Sequence, residues 1–214
     1  MMVCLLSERR MSTTFKTTTA LLEGLFDTGN KAVWEEFNAR YSPVILAVAR
    51  RVGLGEQDAA DVTQETLIRF LQEYKAGKYD RSRGRLRSWI VGIAKYRIAD
   101  LRRAKARHRE WRGESAFDVL PDDDEMGKMW DEECRREILR RAFRELRETT
   151  KLDERTIGVF ERLCLDQLKP ADVAKETGMS IDTVYKAKQR CMEQLKGIIG
   201  RLDEAYEIDR GEES

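Results

Sequence analysis

The sequence predicts an all-α protein made of two small helical domains joined by an acidic linker. Charged residues make up 37% of the 214 residues and only 3 residues are proline, a composition rich in helix formers and poor in helix breakers. Apolar residues recur at helical spacing along most of the chain. The length is compatible with two domains, because one domain typically has about 100 to 150 residues.

The first domain is predicted to span residues 20–112, after an N-terminal extension, residues 1–19, in which we expect no regular structure. Its first apolar stripe comprises Val33, Trp34, Phe37, Tyr41, Val44, Ile45, Val48 and Val52. Pro43 suits the first turn of a helix, so we expect two helices to meet near Ser42.

A third helix is predicted to begin at Glu56 or Asp58 and to end near Lys75, before a loop that extends to Gly84. A fourth is predicted from Leu86 to about Arg109. Its apolar stripe comprises Leu86, Trp89, Ile90, Ile93, Ala94, Ile98 and Leu101.

Residues 113–131 are predicted to be the linker, because they contain Pro121, an acidic run and little periodicity. The second domain is predicted over residues 132–205, with a first helix from about Glu132 to Arg147. Residues 206–214 form a tail.

Composition excludes several functions. No apolar stretch approaches the roughly 18 to 20 residues that cross a bilayer, so we expect a cytoplasmic protein without membrane insertion. The cysteines lie far apart and the only histidine is His108, which disfavours a metal site. We therefore expect no catalytic residue, no metal and no cofactor.

Charge is strongly segregated along the chain although the net charge is only +1. The segment 81–112 contains twelve basic residues against Asp100 and Glu110, and an acidic stretch follows it. A charge run is commonly a solvated face, but this one has few interspersed acids and includes Tyr96. The pattern favours binding to a nucleic acid.

The segment from Lys169 to Leu195 fits a helix-turn-helix, which makes the second domain a helix-turn-helix domain. Gly178 suits the turn, Ala174 allows close helix crossing and Ser180 can cap the second helix. The predicted inner face of that helix comprises Ile181, Val184, Ala187 and Cys191. The residues expected to contact DNA are Ser180, Asp182, Thr183, Tyr185, Lys186, Lys188, Gln189 and Arg190. An ordinary helical hairpin is the alternative.

Three further runs, in a fixed order with this motif, resemble the extracytoplasmic-function sigma factors of the sigma-70 family. The run Asp58–Leu67 resembles the part of the family that docks on the clamp helices of the polymerase beta-prime subunit. The runs Arg83–Ile90 and Ile93–Arg103 resemble the adjacent part that melts and reads the −10 region of a promoter. The helix-turn-helix resembles the domain that reads the −35 element.

The resemblance implies partners and site residues. The implied partners are promoter DNA and core RNA polymerase, the latter through its beta-prime clamp helices and its beta subunit. An anti-sigma factor is a further partner that the sequence does not identify. The polymerase-binding residues implied are Asp58, Asp61, Gln64 and Glu65. The residues implied for the −10 region are Tyr79, Arg85, Arg87, Lys95, Tyr96, Arg97, Arg102 and Arg103.

Aromatic side chains beside cations can hold unstacked bases. Trp89 falls on an apolar stripe and is expected to belong to the core, whereas Tyr79 in the loop is the better candidate to contact an extruded base. The acidic linker is either a solvated tether or, as the resemblance implies, a segment that passes near the path of the new RNA.

Two other classes of function remain as alternatives. A stand-alone helix-turn-helix regulator would bind duplex DNA tightly without polymerase. An enzyme is disfavoured, because the chain has no glycine-rich phosphate loop and its nearest approach to a metal cluster, Asp122 to Asp124, falls in the predicted linker.

Overall fold

The computed structural model describes residues 18–26, 30–80, 82, 84–110 and 120–206, and this part of the chain contains eight α-helices and no strand. The helices are α1 (Thr18–Gly24), α2 (Lys31–Arg51), α3 (Glu56–Lys75), α4 (Leu86–Glu110), α5 (Asp123–Thr149), α6 (Glu154–Cys164), α7 (Pro170–Thr177) and α8 (Ile181–Tyr206). The predicted all-α class is confirmed, as are the bounds expected for α3. The predicted tail beyond Tyr206, most of the N-terminal extension and residues 111–119 of the linker lie outside the described residues.

Helix α2 is continuous through Pro43, so the prediction of two helices meeting near Ser42 is wrong. Proline inside a helix removes one backbone hydrogen bond and costs about 3 kcal/mol. Burial offsets this cost, because side chains on both sides of the proline, including Phe37, Tyr41 and Ile45, are almost fully buried.

Helix α5 begins at Asp123, well before the predicted start at Glu132, so the last part of the predicted linker is helical. The Asp122 side chain caps the helix by accepting a hydrogen bond from the backbone N–H of Glu125 at 2.8 Å. The acidic run that suggested a linker stabilises the start of the helix, because the N-terminal end of the helix dipole is positive. Burial of Met126 and Trp130 further stabilises these first turns of the helix.

One buried core includes side chains from α1 to α6 and from α8. Helix α5 packs against α2, α4 and α8, and one cluster of buried apolar residues includes side chains from all of them. Aromatic rings form its centre, with Phe37 stacked on Phe70 at a centroid distance of 4.7 Å. A second, small core lies where α6, α7 and α8 meet, and comprises Val159, Val173, Ala174, Val184 and Ala187. The domain boundaries given above stay a prediction.

The helix-turn-helix has the geometry that the sequence predicts. Gly178 ends α7 with φ of 65°, a left-handed conformation that favours glycine, and the Ser180 hydroxyl accepts a hydrogen bond from the N–H of Thr183 at 3.2 Å. One core assignment is wrong, because Ile181 is 50% exposed. It is the first residue of α8, where side chains tilt toward the helix N-terminus and therefore extend beyond the packed turn.

Candidate nucleic-acid interface

The outward side of α3 carries the residues predicted to dock on polymerase. Asp61, Gln64 and Glu65 are exposed, whereas Asp58 is half-buried and forms an ion pair with Lys105 of α4. Ile68 lies on the same face one turn further along the helix and is 46% exposed. It was not predicted as a site residue from the sequence. Ile68 follows Asp61 by seven residues, which is two helical turns, and this spacing is the sequence signal that would have placed it on the same face. We call Asp61, Gln64, Glu65 and Ile68 the α3 outer face.

The α3 outer face is held in place by the opposite side of the helix. Ala59, Val62, Leu67 and Phe70 are buried against α2 and α4. Two buried threonines on α3 satisfy their hydroxyls within the helix, each donating to the carbonyl four residues earlier at 2.7 Å. The residues predicted to dock therefore project from a helix with a fixed orientation.

An aromatic wall lies between the α3–α4 loop and the start of α4. Tyr79 stacks on Trp89 with ring centroids 5.0 Å apart and an angle of 12° between the planes. The rings of Trp89 and Phe70 are in an edge-to-face arrangement, with their centroids 5.2 Å apart. Both residues of the stack are half-buried. Trp89 is therefore only partly a core residue, and Tyr79 is supported by the core instead of extending from the loop.

Two cavities adjoin this wall. One of about 280 Å³ is lined by Lys78, Tyr79, Asp80, Gly84, Arg85, Ser88 and Trp89. The other, of about 370 Å³, is lined by Arg69, Glu73, Ser88, Trp89, Gly92, Ile93, Tyr96 and Arg97. Trp89 and Ser88 border both, so the tryptophan separates two neighbouring concave surfaces, each with an aromatic ring and a cation.

Tyr96 lies beside the second cavity and is 60% exposed. The guanidinium carbons of Arg97 and Arg103 lie 5.8 Å and 6.0 Å from its ring centroid. Arg103 also pairs with Asp100, and this hydrogen bond raises the pKa of Arg103 above its usual value. An exposed ring flanked by two permanent cations is suited to bind a base and its phosphates.

Acids from α5 partly neutralise the basic face of α4, which the sequence pattern did not indicate. Lys95 Nζ lies 2.5 Å from Asp123, and Arg87 pairs with Asp131. Arg102 donates to the backbone carbonyl of Val52 and thereby contributes to packing. Arg85 is exposed. Arg81, Arg83 and Arg112, which belong to the predicted basic segment, lie outside the described residues, as does the side chain of Arg109.

The first three turns of α8 present the predicted reading face. All eight predicted residues from Ser180 to Arg190 are exposed, while Val184 and Ala187 are buried beneath them. Asp182 pairs with Lys186 at 2.7 Å, which reduces the repulsion that its carboxylate would exert on a phosphate. Ile181 and Met192 add exposed apolar area to the same helix.

The acidic run at the start of α5 has structural partners. Asp122 caps the helix and Asp123 pairs with Lys95. Within the described ranges, no three histidine, cysteine or acidic side chains are arranged to hold a metal ion. None of the helices in the same ranges is both long and apolar enough to cross a membrane.

Part of the chain matches a known protein family. Residues 38–108, which include the α3 outer face and most of α4, match the family Sigma-70 region 2. The chain is also similar to the ECF RNA polymerase sigma factor RpoE of Cereibacter sphaeroides, with 25% identity over 180 residues that cover 83% of this chain and 92% of that protein. Both similarities support an extracytoplasmic-function sigma factor of the sigma-70 family.

Proposed function

We propose that this chain is a sigma factor that binds core RNA polymerase, recognises the −10 and −35 elements of a promoter and opens the DNA for transcription initiation. The observation that carries the proposal is the Tyr79–Trp89 stack beside cations, which lies within the part of the chain that matches sigma-70 region 2. A factor of this kind acts where the chromosome lies, in the cytoplasm.

The first step is docking of the α3 outer face on the clamp helices of the beta-prime subunit. Asp61 and Glu65 are one helical turn apart and exposed, so both can pair with basic side chains of a partner helix. Ile68 adds an apolar contact at the end of this charged surface, an arrangement common at protein interfaces. The beta subunit is the proposed partner of the helix-turn-helix half.

The second step is opening of the duplex near the −10 element. A base extruded from the stack would enter the cavity beside Tyr79 and Trp89, where stacking on an aromatic ring contributes about 1 to 3 kcal/mol. Tyr96 offers a second ring with two cations beside it. Phosphates would replace Asp131 and Asp123 as partners of Arg87 and Lys95, because such solvent-accessible ion pairs are weak.

The third step is recognition of the −35 element by α8 in the major groove. Thr183, Lys186, Gln189 and Arg190 can donate hydrogen bonds to base edges or phosphates, and Asp182 can accept from a cytosine amine. Tyr185 and Lys188, which are also exposed, would contact the phosphate backbone in this arrangement. Ile181 would contact a thymine methyl group, since it is exposed at the start of the helix.

Docking is tested by charge reversal on the α3 outer face. Asp61→Arg should weaken capture of core polymerase by at least about tenfold, because one favourable ionic contact becomes a repulsion. Asp166→Arg is the matched control, since Asp166 is also an exposed aspartate, on the loop after α6. Equal polymerase binding by both variants and the unmodified protein would place the docking surface elsewhere.

Promoter opening is tested with fluorescent base analogues in genomic fragments and purified core polymerase. We expect opening only when both proteins are present. Tyr79→Leu should reduce opening with little effect on closed-complex affinity, whereas Tyr185→Leu should weaken closed-complex binding. If no fragment opens, or if the chain alone binds duplex DNA tightly, the protein works as a stand-alone regulator instead.

A further inference from the structure

The cavity of about 370 Å³ between α3 and α4 combines aromatic, acidic and basic side chains. Trp89 and Tyr96 line it from α4, and Gly92 lies between them, one helical turn from each. Arg69 and Glu73 line it from α3. Its volume is within the range of about 300 to 1,000 Å³ that is usual for small-molecule sites. A planar ring with polar edges therefore suits the cavity in both size and chemistry.

Gly92 leaves open space on the α4 side of the cavity. It is exposed, and a Cβ atom at this position would meet nothing within 4 Å. Glycine inside a helix is less stable than alanine, and no neighbour in the described part of the chain requires it here. The missing side chain instead allows a ligand to approach the helix backbone between the two aromatic residues.

Glu73 supplies a hydrogen-bond acceptor that is held in place. Arg69 Nε donates to Glu73 Oε1 at 2.7 Å, and 17% of the Glu73 side chain is exposed. A carboxylate has about four acceptor positions, so Oε2 and the remaining lone pair of Oε1 can accept from a ligand. Among the described residues that line the cavity, Glu73 is the only acid.

Arg97 supplies a donor for the same ligand. It lines the cavity, and its Nε atom is buried without a hydrogen-bond partner among the described residues. A buried donor that lacks a partner is unfavourable, so an acceptor atom of a ligand would stabilise it. The cavity thus offers an acceptor, a donor and aromatic surfaces to one molecule.

This set of groups distinguishes guanine from the other DNA bases. Guanine has two adjacent donors, N1–H and the N2 amino group, which one carboxylate can accept together, and its O6 acceptor lies beside them. Adenine and cytosine each have one amino donor next to a ring nitrogen that would repel the carboxylate. The single N3–H of thymine lies between two carbonyl oxygens. This edge of a base is accessible only when the base is unpaired.

We propose that this cavity binds an unpaired guanine of the opened promoter strand, and that Glu73 is the residue that selects it. The base lies over Gly92 and stacks on Tyr96, and its flanking phosphates contact Arg97 and Arg103, whose guanidinium groups lie beside the tyrosine ring. The inference rests on the proposed function, because promoter opening supplies the unpaired strand. Selection of guanine by the cavity does not depend on that function.

Binding of short single strands to the full chain tests this selection. The probes are labelled DNA strands whose central base, between thymines, is either guanine or hypoxanthine, which lacks the N2 amino group. Fluorescence anisotropy measures both affinities. The unmodified protein should bind the guanine strand about five- to tenfold more tightly, since hypoxanthine loses one of the two hydrogen bonds to the carboxylate. Equal affinities would overturn the inference.

Glu73→Gln tests the role of the carboxylate. The ratio of the two affinities should fall to about twofold or less, because an amide has one acceptor oxygen and its NH2 group would face a donor of guanine. Glu56→Gln is the matched control on the same helix, since Glu56 is exposed and pairs with Arg50, and it should keep the ratio. An unchanged ratio for Glu73→Gln would overturn selection by Glu73.

Gly92→Ala tests the position of the base without removing a charge. Alanine should raise Tm, as it does at other glycines inside helices. Its methyl group would occupy the space of the base and should weaken binding of the guanine strand by about fivefold or more. Gly197→Ala on α8 is the matched control, because a Cβ atom there also meets nothing within 4 Å, and it should raise Tm without changing strand binding. Equally tight binding by the two variants would overturn the inference.

A free guanine nucleotide carries the same base, so GMP is the competing probe. It should bind at least about tenfold more weakly than the guanine strand, because the strand has flanking phosphates that contact the cations. Equal affinity would assign the cavity to a free nucleotide and overturn the assignment to the promoter strand. If the strands are selected as expected but the chain and core polymerase open no promoter fragment, the proposed function is refuted while selection of guanine by Glu73 stands.

Discussion

Replacing Gly178, the glycine in the turn between α7 and α8, with alanine should destabilise the protein. Its φ of 65° is left-handed, and such a conformation costs a non-glycine residue about 1 to 2 kcal/mol. Nothing lies within 4 Å of the position that a Cβ atom would occupy, so no steric clash adds to this cost. Alanine also restricts the unfolded chain, which returns about 0.4 to 1 kcal/mol. The net loss is about 1 kcal/mol.

Gly197→Ala is the matched control with the opposite sign. Gly197 lies inside α8, and a Cβ atom there would also meet nothing within 4 Å. Alanine is favoured over glycine in a helix interior by about 0.8 to 1.0 kcal/mol, so this variant should be more stable. The two substitutions add the same methyl group to open space and differ only in backbone conformation.

Thermal unfolding and urea titration measure the difference. For a chain of this size, 1 kcal/mol corresponds to a shift in Tm of about 2 to 4 °C, so Gly178→Ala should lower Tm and Gly197→Ala should raise it. Gly178→Asn should fall between Gly178→Ala and the unmodified protein, since asparagine tolerates the left-handed region better than alanine. If Gly178→Ala were as stable as Gly197→Ala, the left-handed turn would not be what requires glycine here.

Three further predictions concern acid stability, DNA binding and thiol chemistry. Hydrogen bonds from Thr156 hold the pKa of the capping Asp153 carboxyl below its usual range. The stabilisation that this carboxylate contributes is therefore complete above the pKa of Asp153 in the unfolded chain. It is lost as the pH falls through the lowered pKa of Asp153 in the folded protein. Asp153→Asn should keep the cap at pH 7 but reduce the fall in Tm between pH 5 and 3; an identical fall would show that the carboxylate does not contribute. Arg103→Ala should reduce the slope of log affinity against log salt concentration, for promoter binding with polymerase, by about 0.9 if Arg103 contacts one phosphate. An unchanged slope would show that Arg103 pairs with Asp100 and contacts no phosphate. Burial raises the pKa of the Cys134 thiol far above its ordinary value, so iodoacetamide at pH 8 should modify the half-buried Cys164 before Cys134. Peptide mass spectrometry follows the two rates, and faster labelling of Cys134 would contradict its burial.

Local sequence patterns determined the elements whose signals are contained in a few neighbouring residues. The bounds of α3 follow from its flanking glycines and apolar spacing, and the turn at Gly178 with its Ser180 cap follows from residue chemistry. The exposed reading face of α8 follows from helical periodicity once Val184 and Ala187 are assigned to the core.

Tertiary packing decided the features for which local signals were ambiguous or misleading. Pro43 suggested a boundary, but burial on both sides of it keeps α2 continuous, and the acidic run read as a linker is instead the capped first turns of α5. Likewise Trp89 falls on an apolar stripe but is only half-buried, and the face that it presents toward the preceding loop stacks on Tyr79.

The sequence by itself determined an all-helical protein with a basic helix and a helix-turn-helix, because periodicity, capping and charge are local properties of the chain. Only the tertiary structure decided which acids neutralise that basic helix and that Arg40 is buried against Ala205. Those partners are separated by tens of residues or more along the chain. Nothing in the local pattern around either partner specifies the other, since their pairing depends on how α5 and α8 pack against α2 and α4.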